Sequence, residues 1–293
     1  MKENNMKKEP LFLIIILNYN NYNFTKECLT SLYNLSYSNY KIIVVDDYSK
    51  DDSVKRIKKD FPNTILIQNS KNMNYCKSFN VGIKEALKRN ADYIFLINND
   101  TKDFSPNYLE AVIETFESNK KLGMVGSKCY DYDGGVRRDN VPSIRFGIKM
   151  DTPTEGYVIK RDVFNKIGFL NENLIIYFED LDFIVRMRNV GYETRINTDI
   201  SFLHYGGGTT SKIVFQSNYM RVRNLILFTR KYCSNRPLKW RLNEIKGNLG
   251  VHYYKLKDSF LKFELLKFFQ LFSAILLGLI IGSFTPLKKV WNL

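Results

Sequence analysis

The stretch LFLIIILNYN at residues 11–20 decides the fold class of this chain. Its first seven residues form a continuous apolar run that ends abruptly at Asn18 and has no small-residue cleavage site behind it. A run of this length is too short to span a membrane, and we do not expect it to be a signal peptide. It is typical of a central strand that is covered by helices on both faces of a sheet. We therefore expect a buried strand at residues 11–17, after a polar tail at residues 1–10.

Strand-like and helix-like segments alternate after this run. We expect further strands at residues 41–45, 64–68 and 93–97, and helices at about 24–35, 52–60 and 78–89, with Pro106 in the first turn of the next helix. Strands that alternate with helices predict βαβ units. The expected fold class is therefore α/β, with a Rossmann-like, mostly parallel sheet and helices on both faces.

Polar residues follow three of the expected strands. Asn18 and Asn20 follow the first strand, Asp46 and Asp47 the second, and Asn98-Asn99-Asp100 the fourth. In parallel sheets, ligands bind beyond the carboxyl ends of the strands. Because three polar clusters share that edge, the sequence predicts a ligand site there.

Each cluster alone has a second interpretation. Asp100 is suited to a divalent cation held between protein carboxylates and substrate phosphates, but residues 98–100 are also compatible with a helix-capping turn. Asp46 and Asp47 are suited to recognition of a base or ribose, or to a loop in which Ser49 caps the next helix.

The acidic run EDLD at residues 179–182 is flanked by aromatic residues on both sides. Desolvation raises the pKa of a carboxyl group, which suits a general base, whereas acidic residues are also favoured in the first turn of a helix. A helix is expected at 183–189, with Gly191 at its end.

His204 follows a short strand-like segment and is either a metal ligand or a structural histidine. Residues 130–151 are expected to form one long loop.

The four cysteines lie far apart and form no CxxC pair, which favours a reducing compartment over a disulfide framework or zinc cluster.

The net charge is distributed very unevenly along the chain. From Lys212 to the C-terminus there are 15 basic and 3 acidic residues, so this end carries +12 of the net +14. Such asymmetry indicates an anionic membrane or a nucleic acid as partner.

Residues 268–287 contain no charged residue and are flanked by lysines, but polar residues and glycines dilute their hydrophobicity. We expect a helix that lies in the membrane interface rather than a true span. The alternative is a basic helical bundle that packs on the rest of the protein. The expected organisation is an α/β domain at 11–211 and a basic helical extension at 212–293.

Taken together, these segments resemble family 2 glycosyltransferases with the GT-A fold, and within them the rhamnosyltransferase-like branch. The resemblance covers roughly residues 11–230. The segments that carry it are ILNYN (16–20), VVDDYSKDDS (44–53), NSKNMNYCKSFNVGI (69–83), FLINNDT (95–101), residues 156–161, and YFEDLDFIVRMRNVGYE (177–193) followed by His204.

The resemblance implies a metal-dependent, inverting enzyme of polysaccharide synthesis. It would transfer a sugar from a UDP- or dTDP-type nucleotide donor to a glycan or lipid-linked acceptor at the cytoplasmic face of the membrane. Asp180 would be the catalytic base, with Glu179 as its catalytic neighbour. Asp100 and His204 would hold Mn²⁺ or Mg²⁺. The implied donor-binding residues are Asn18, Asn20, Asp47, Lys77, Asn80 and Asn98.

This sequence departs from the family pattern at Asn98, where the Asp-x-Asp metal motif begins with an acidic residue, and at Lys77, where relatives often carry an arginine. Two other functions compete with the enzyme: a catalytically degenerate GT-A scaffold, and a nucleic-acid-binding protein. The basic end is interleaved with an uncharged apolar segment, which suits lipid better than a phosphate backbone. We therefore expect no nucleic-acid partner.

Overall fold

The computed structural model describes residues 9–132, 135, 143–146, 148–150, 156–206, 214–262 and 264–291. The strands are β1 (Phe12–Asn18), β2 (Tyr40–Asp46), β3 (Ile65–Gln68), β4 (Tyr93–Asn98), β5 (Thr101–Lys102), β6 (Leu122–Asp131), β7 (Ser143–Arg145), β8 (Ile148–Met150), β9 (Gly156–Lys160) and β10 (Glu193–His204). The helices are α1 (Tyr22–Leu32), α2 (Ser53–Asp60), α3 (Tyr75–Lys88), α4 (Tyr108–Ser118), α5 (Arg161–Ile167), α6 (Glu179–Asn189), α7 (Val214–Tyr232), α8 (Leu238–Leu261), α9 (Leu265–Phe284) and α10 (Leu287–Trp291), with a 3₁₀ turn at Glu172–Leu174.

Eight strands form one mixed sheet in the order β3-β2-β1-β4-β9-β6-β10-β5. Strands β3, β2, β1 and β4 are parallel neighbours, and β10 is parallel to β6. Strand β9 lies antiparallel between β4 and β6. It begins at Gly156, where a Cβ atom would lie 2.3 Å from Cδ1 of Ile97, so only glycine fits without displacing that side chain. The predicted α/β fold is confirmed.

Strand β1 is buried on both faces, which explains its unbroken apolar sequence. Phe12, Ile14 and Ile16 face one hydrophobic core, which α1 and α4 cover. Leu13 and Ile15 face the other, which α3, α6 and α7 cover. Because successive side chains of a strand alternate between faces, a seven-residue run can serve both cores.

Three expectations about element bounds were wrong. The acidic run lies inside a helix, since α6 begins at Glu179. Pro106 precedes its helix, because α4 begins at Tyr108 after the N-cap Asn107. Residues 130–151 are not one loop: β6 continues to Asp131 through pairing with β10, and β7 and β8 form a hairpin. Gly191 has a φ of 89° directly after the C-cap of α6, as expected for a glycine that ends a helix.

The C-terminal helices pack on the sheet and on one another. Helix α7 contributes Phe228 to the core that it shares with β1, although the predicted domain boundary precedes it. Helix α9 lies against α7 through two glycines: a Cβ at Gly278 would be 2.8 Å from Cβ of Val222, and one at Gly282 would be 2.8 Å from the Arg223 carbonyl oxygen. The division at residue 211 stays a prediction.

Helix α9 leaves a row of large apolar side chains exposed. Among the described residues, its segment Leu266–Phe284 is the one helix long and apolar enough to cross a membrane. The exposed apolar side chains of this helix are Leu266, Phe269, Phe272, Leu276, Leu277, Ile280, Ile281 and Phe284. The opposite side, with Leu271 and Ala274, is buried against the protein.

Candidate active site

Asp100 and His204 meet at the carboxyl edge of the sheet. Asp100 follows β4, and the short strand β5 pairs antiparallel with the end of β10, so that Thr101 lies opposite His204. The Nε2 atom of His204 is 3.0 Å from Oδ1 of Asp100, and both side chains are buried. The two residues that were predicted to bind metal therefore lie in contact.

This pair fits a divalent cation that receives its remaining ligands from a substrate. Nδ1 of His204 is buried and has no hydrogen-bond partner among the described residues. Carboxylate oxygens suit Mn²⁺ and Mg²⁺, and imidazole is the commonest side-chain metal ligand in proteins. In the described part of the chain, no group of three or more His, Cys, Asp or Glu residues could hold an ion by itself. A cation here would need oxygen atoms from a bound diphosphate.

The turn before β5 is not a helix cap, because α4 begins only at Tyr108. Oδ1 of Asn98 accepts a hydrogen bond from the Tyr75 hydroxyl at 3.1 Å. Asn99 donates to the Thr25 hydroxyl at 2.9 Å. These contacts tie the turn to α3 and α1 and orient it at the sheet edge.

Asn18 joins the ends of β1 and β2. Its side-chain nitrogen donates to Oδ1 of Asp46 at 2.7 Å, and the Ser49 hydroxyl donates to the same oxygen. Both Asn18 and Asp46 are buried. Asn20 adopts a φ of 49° and accepts a hydrogen bond from the Lys50 backbone at 2.6 Å. Asn18 and Asn20 therefore shape the loops at this edge. Their contact with a donor stays a prediction.

Asp47 holds the segment between β3 and α3. Its Oδ1 accepts from the Met73 backbone at 2.7 Å and from the Ser78 hydroxyl at 2.8 Å, and its Oδ2 accepts from the Asn74 backbone at 3.0 Å. Asn69 also donates to Oδ1, at 2.9 Å. Both carboxylate oxygens are thus engaged within the protein. Asp47 therefore orders this loop, and its recognition of a base stays a prediction.

Lys77 and Asn80 are one turn apart on α3 and differ in burial. Lys77 is exposed, whereas Asn80 is buried. The Asn80 amide donates to the Leu170 carbonyl at 2.9 Å and accepts from the Leu170 backbone at 3.1 Å. It also donates to Glu172. Asn80 therefore joins α3 to the segment before α6, and contact of Lys77 or Asn80 with a donor stays a prediction.

Glu179 and Asp180 begin α6, and both carboxyl groups are more than nine-tenths buried. Burial, with the neighbouring negative charge of Asp180, raises the pKa of Glu179 to about 8. Its Oε2 has no hydrogen-bond partner among the described residues. Two adjacent buried carboxyl groups whose environment favours the protonated form of one of them are an arrangement suited to acid–base chemistry.

The backbone before this pair is strained. Ile175, Tyr177 and Phe178 all have a φ of 68°, a left-handed conformation that non-glycine residues rarely adopt. The buried Asn224 of α7 holds this segment in place. Its amide nitrogen lies 2.8–2.9 Å from the carbonyl oxygens of Leu174, Ile176 and Tyr177.

Sequence reasoning missed Asn224. The signal was present, because this residue is an amide directly before the apolar run LILF in a helix. A buried amide needs hydrogen-bond partners, so it marks a position where backbone groups must approach the helix. Only the fold identifies those groups as the segment that leads to Glu179.

Asp182 connects α6 to the C-terminal helices. It is fully buried, and its Oδ2 accepts from Nε of Arg186 at 2.8 Å. Its Oδ1 accepts from the Tyr232 hydroxyl at 2.6 Å and from the indole nitrogen of Trp291. The last acidic residue of the run is therefore structural, and it anchors α7 and α10 beside the candidate catalytic pair.

Comparison with known proteins identifies the family. The model of glycosyl transferase family 2 matches residues 13–191, which is more than half of the chain. The chain is 23% identical over 237 residues to the dTDP-rhamnosyl transferase RfbF of Shigella flexneri, covering 73% of this chain and 78% of that protein. It is also 25% identical over 217 residues to the uncharacterised protein y4gI of Sinorhizobium fredii, covering 64% of this chain but only 23% of the relative's length.

A solved structure agrees on the fold. The mannosyltransferase PcManGT of Pyrobaculum calidifontis, in complex with GDP-Man and Mn²⁺, superimposes with a TM-score of 0.61 at 14% identity, covering 98% of this chain and 88% of that one. At this identity the likeness establishes the GT-A-like architecture alone. The family match covers β1 from Leu13 onward, Asp46 at the end of β2 and Asp47 after it, the turn with Asp100 and the whole of α6. The chain belongs to glycosyl transferase family 2.

Proposed function

We propose that this protein is an inverting glycosyltransferase that moves a sugar from a UDP- or dTDP-type nucleotide donor to a glycan or lipid-linked acceptor in polysaccharide synthesis. The relative RfbF, named a dTDP-rhamnosyl transferase, supports this donor class. The observation that carries the proposal is the placement of two functional pairs, Glu179–Asp180 and Asp100–His204, in a chain of this family.

In the proposed reaction, the carboxylate of Asp180 removes the proton of the acceptor hydroxyl group. The acceptor oxygen forms a bond to the anomeric carbon as the bond from that carbon to the nucleoside diphosphate breaks. A single displacement inverts the configuration and needs no enzyme nucleophile. Burial and the neighbouring charge of Asp180 raise the pKa of Glu179 and favour its protonated form, so we assign the role of base to Asp180.

Asp100 and His204 would hold a divalent cation, Mn²⁺ or Mg²⁺, beside the donor diphosphate. Such a cation neutralises the negative charge that builds up on the leaving group. The two protein ligands in contact and the unpaired Nδ1 of His204 support this assignment. The likeness to a structure that holds Mn²⁺ with its nucleotide-sugar agrees with it.

A screen of nucleotide-sugars tests the function. We expect the purified protein to hydrolyse or transfer from one UDP- or dTDP-sugar in the presence of Mn²⁺, with release of the nucleoside diphosphate. We also expect that donor to raise the melting temperature, because a ligand that binds only the folded state stabilises it. Neither binding nor release with any donor would favour the degenerate scaffold instead.

We further propose that α9 attaches the enzyme to the cytoplasmic face of the membrane as an interfacial helix. Helix α9 exposes its apolar side chains and belongs to the C-terminal extension, which carries a net charge of +12. Each basic residue near an anionic surface contributes about 1 kcal/mol, and burial of apolar side chains adds a term that salt does not screen. The contact of α9 with α7 through glycines supports a helix that lies on the protein rather than one that leaves it.

Flotation with anionic liposomes tests the attachment. Replacement of Phe269, Leu276 and Ile280 by serine should abolish flotation at high salt, since only the apolar term survives there. The matched control replaces Leu238, Leu242 and Tyr253, which are exposed apolar residues of α8. These point changes are preferable to deletion of the C-terminus, because Trp291 hydrogen-bonds Asp182. Equal flotation of both triple variants would contradict the assignment of α9.

A further inference from the structure

A cluster of basic side chains from α7 and α8 lies beside the candidate catalytic pair. The guanidinium carbon of Arg221 is 3.8 Å from the ring centroid of Tyr177, two residues before Glu179. The charge of Arg221 acts on Glu179, on His252 and on Lys255, which places all four groups in one neighbourhood. Arg221 and Lys255 are exposed, and His252 is buried.

Several buried polar atoms of this neighbourhood lack partners. Within the described residues, the Tyr177 hydroxyl, Oε2 of Glu179 and Nδ1 of His252 make no hydrogen bond. His252 is only 6% exposed and Glu179 only 7%. Buried polar atoms are nearly always hydrogen-bonded in folded proteins, so three such atoms in one neighbourhood indicate a place for a polar ligand.

The basic side chains of the cluster do not neutralise acidic side chains in the described part of the chain. Among the described residues, neither Arg221 nor Lys255 forms an ion pair. They also repel one another. Partial desolvation lowers the pKa of Lys255 although its side chain reaches the surface, and the charges of Arg221 and Lys267 lower it further. Burial, Lys255 and Arg221 together lower the pKa of His252 to about 4. Repulsion of this kind is relieved when an anion binds.

The position of the cluster indicates which anion. Helix α8 packs against both α7 and α9, and Lys267, whose charge acts on Lys255, lies in the first turn of α9. The cluster therefore extends from Glu179 to the start of the exposed apolar row of α9. An acceptor that carries an apolar chain, a phosphate group and a sugar hydroxyl would match this arrangement. The chain would lie on the apolar row of α9, the phosphate group at the basic cluster, and the sugar hydroxyl beside the Glu179–Asp180 pair.

We propose that Arg221, His252 and Lys255 form a binding site for the phosphate groups of a lipid-linked acceptor. The assignment rests on the proposed function, because it names the acceptor of that same site. Arg221 and Lys255 donate charge-assisted hydrogen bonds to phosphate oxygens. The neutral imidazole of His252 donates one more. The bound phosphate then fixes the acceptor hydroxyl group relative to Asp180.

Calorimetry on the full-length protein in neutral detergent, with EDTA and no donor, tests the site. The probes are farnesyl diphosphate, farnesol and inorganic diphosphate. We expect wild type to bind farnesyl diphosphate and not farnesol, and Arg221→Ala and Lys255→Ala to bind it about ten- to a hundredfold more weakly. Lys257→Ala, an exposed lysine of the same helix, is the control with the same change in charge. Arg221→Lys should recover part of the affinity.

Equal affinity of Arg221→Ala, Lys255→Ala and Lys257→Ala would overturn the proposal, as would binding of farnesol equal to that of farnesyl diphosphate. Inorganic diphosphate that binds as tightly as farnesyl diphosphate would overturn the lipid part, since it shows that the apolar chain contributes nothing. Because the assay contains no nucleotide-sugar, failure of the donor screen and failure of the phosphate site are separate results. Melting temperatures of the variants identify any loss that arises from misfolding.

Discussion

The Asp180→Asn variant is expected to lose about 10²–10⁴-fold of the transfer rate, because it removes the base that accepts the proton of the acceptor hydroxyl group. The substitution keeps the size of a buried side chain. Donor affinity should therefore change little, and the loss should appear in kcat. Single-turnover transfer and donor calorimetry on the same preparation measure the two quantities. Near-normal turnover by this variant would refute the assignment.

Glu179→Gln is the matched comparison, since glutamine resembles the protonated carboxyl group that Glu179 carries below its raised pKa of about 8. We expect a smaller loss of rate than in Asp180→Asn. In wild type, kcat/KM for the donor should fall as pH rises through about 8, because ionised Glu179 adds negative charge near an anionic donor. The glutamine variant should not show this fall in kcat/KM. A larger loss of rate in Glu179→Gln than in Asp180→Asn would identify Glu179, and not Asp180, as the base.

The Asp100→Ala variant is expected to lose about 10²-fold or more of its metal affinity, since loss of a direct ligand should cost at least as much as loss of an outer-shell partner. Mn²⁺-dependent binding of the nucleoside diphosphate should weaken in parallel, and EDTA should remove the activity of wild type. Titration of Mn²⁺ against the protein with saturating nucleoside diphosphate measures the effect. Undiminished activity of wild type in chelator would show that basic residues alone stabilise the leaving group.

Two further variants sharpen this test. His204→Ala should weaken Mn²⁺ binding as well, because Nε2 of His204 contacts Asp100. Asn98→Asp restores the acidic residue that begins the Asp-x-Asp motif, and an aspartate there can still accept the hydrogen bond from Tyr75. We expect tighter Mn²⁺ binding in this variant. Asp199→Asn, an exposed position on β10, serves as the control for charge.

The C-terminal helices couple the candidate catalytic pair to the proposed membrane surface. Asn224 of α7 holds the strained backbone before Glu179, and Asp182 accepts hydrogen bonds from α7 and α10. Helix α9 rests on α7 through Gly278 and Gly282. The basic extension therefore contributes to the framework of the candidate site.

The sequence by itself determined the four parallel strands β1 to β4 and the edge at which their polar ends meet. The apolar run of β1 requires burial on both faces, and strands that alternate with helices require a parallel arrangement whose carboxyl ends share one edge. Asp47, Asn98 and Asp100 could be placed at that edge because each follows a strand directly. The order of the motifs was also enough to predict the family, which the family match confirmed.

Only the tertiary structure decided which of these side chains meet. His204 contacts Asp100 because a two-residue strand pairs with the end of β10, and so short a pairing has no sequence signal. Asp47 is engaged with the backbone before α3, and Asn80 contacts Leu170, 90 residues away. Local patterns define the elements, but contacts between distant elements depend on the packing of the whole core. For that reason Asn224 and the Arg221 cluster, on helices remote in sequence from Glu179, were recognised only once the chain was folded.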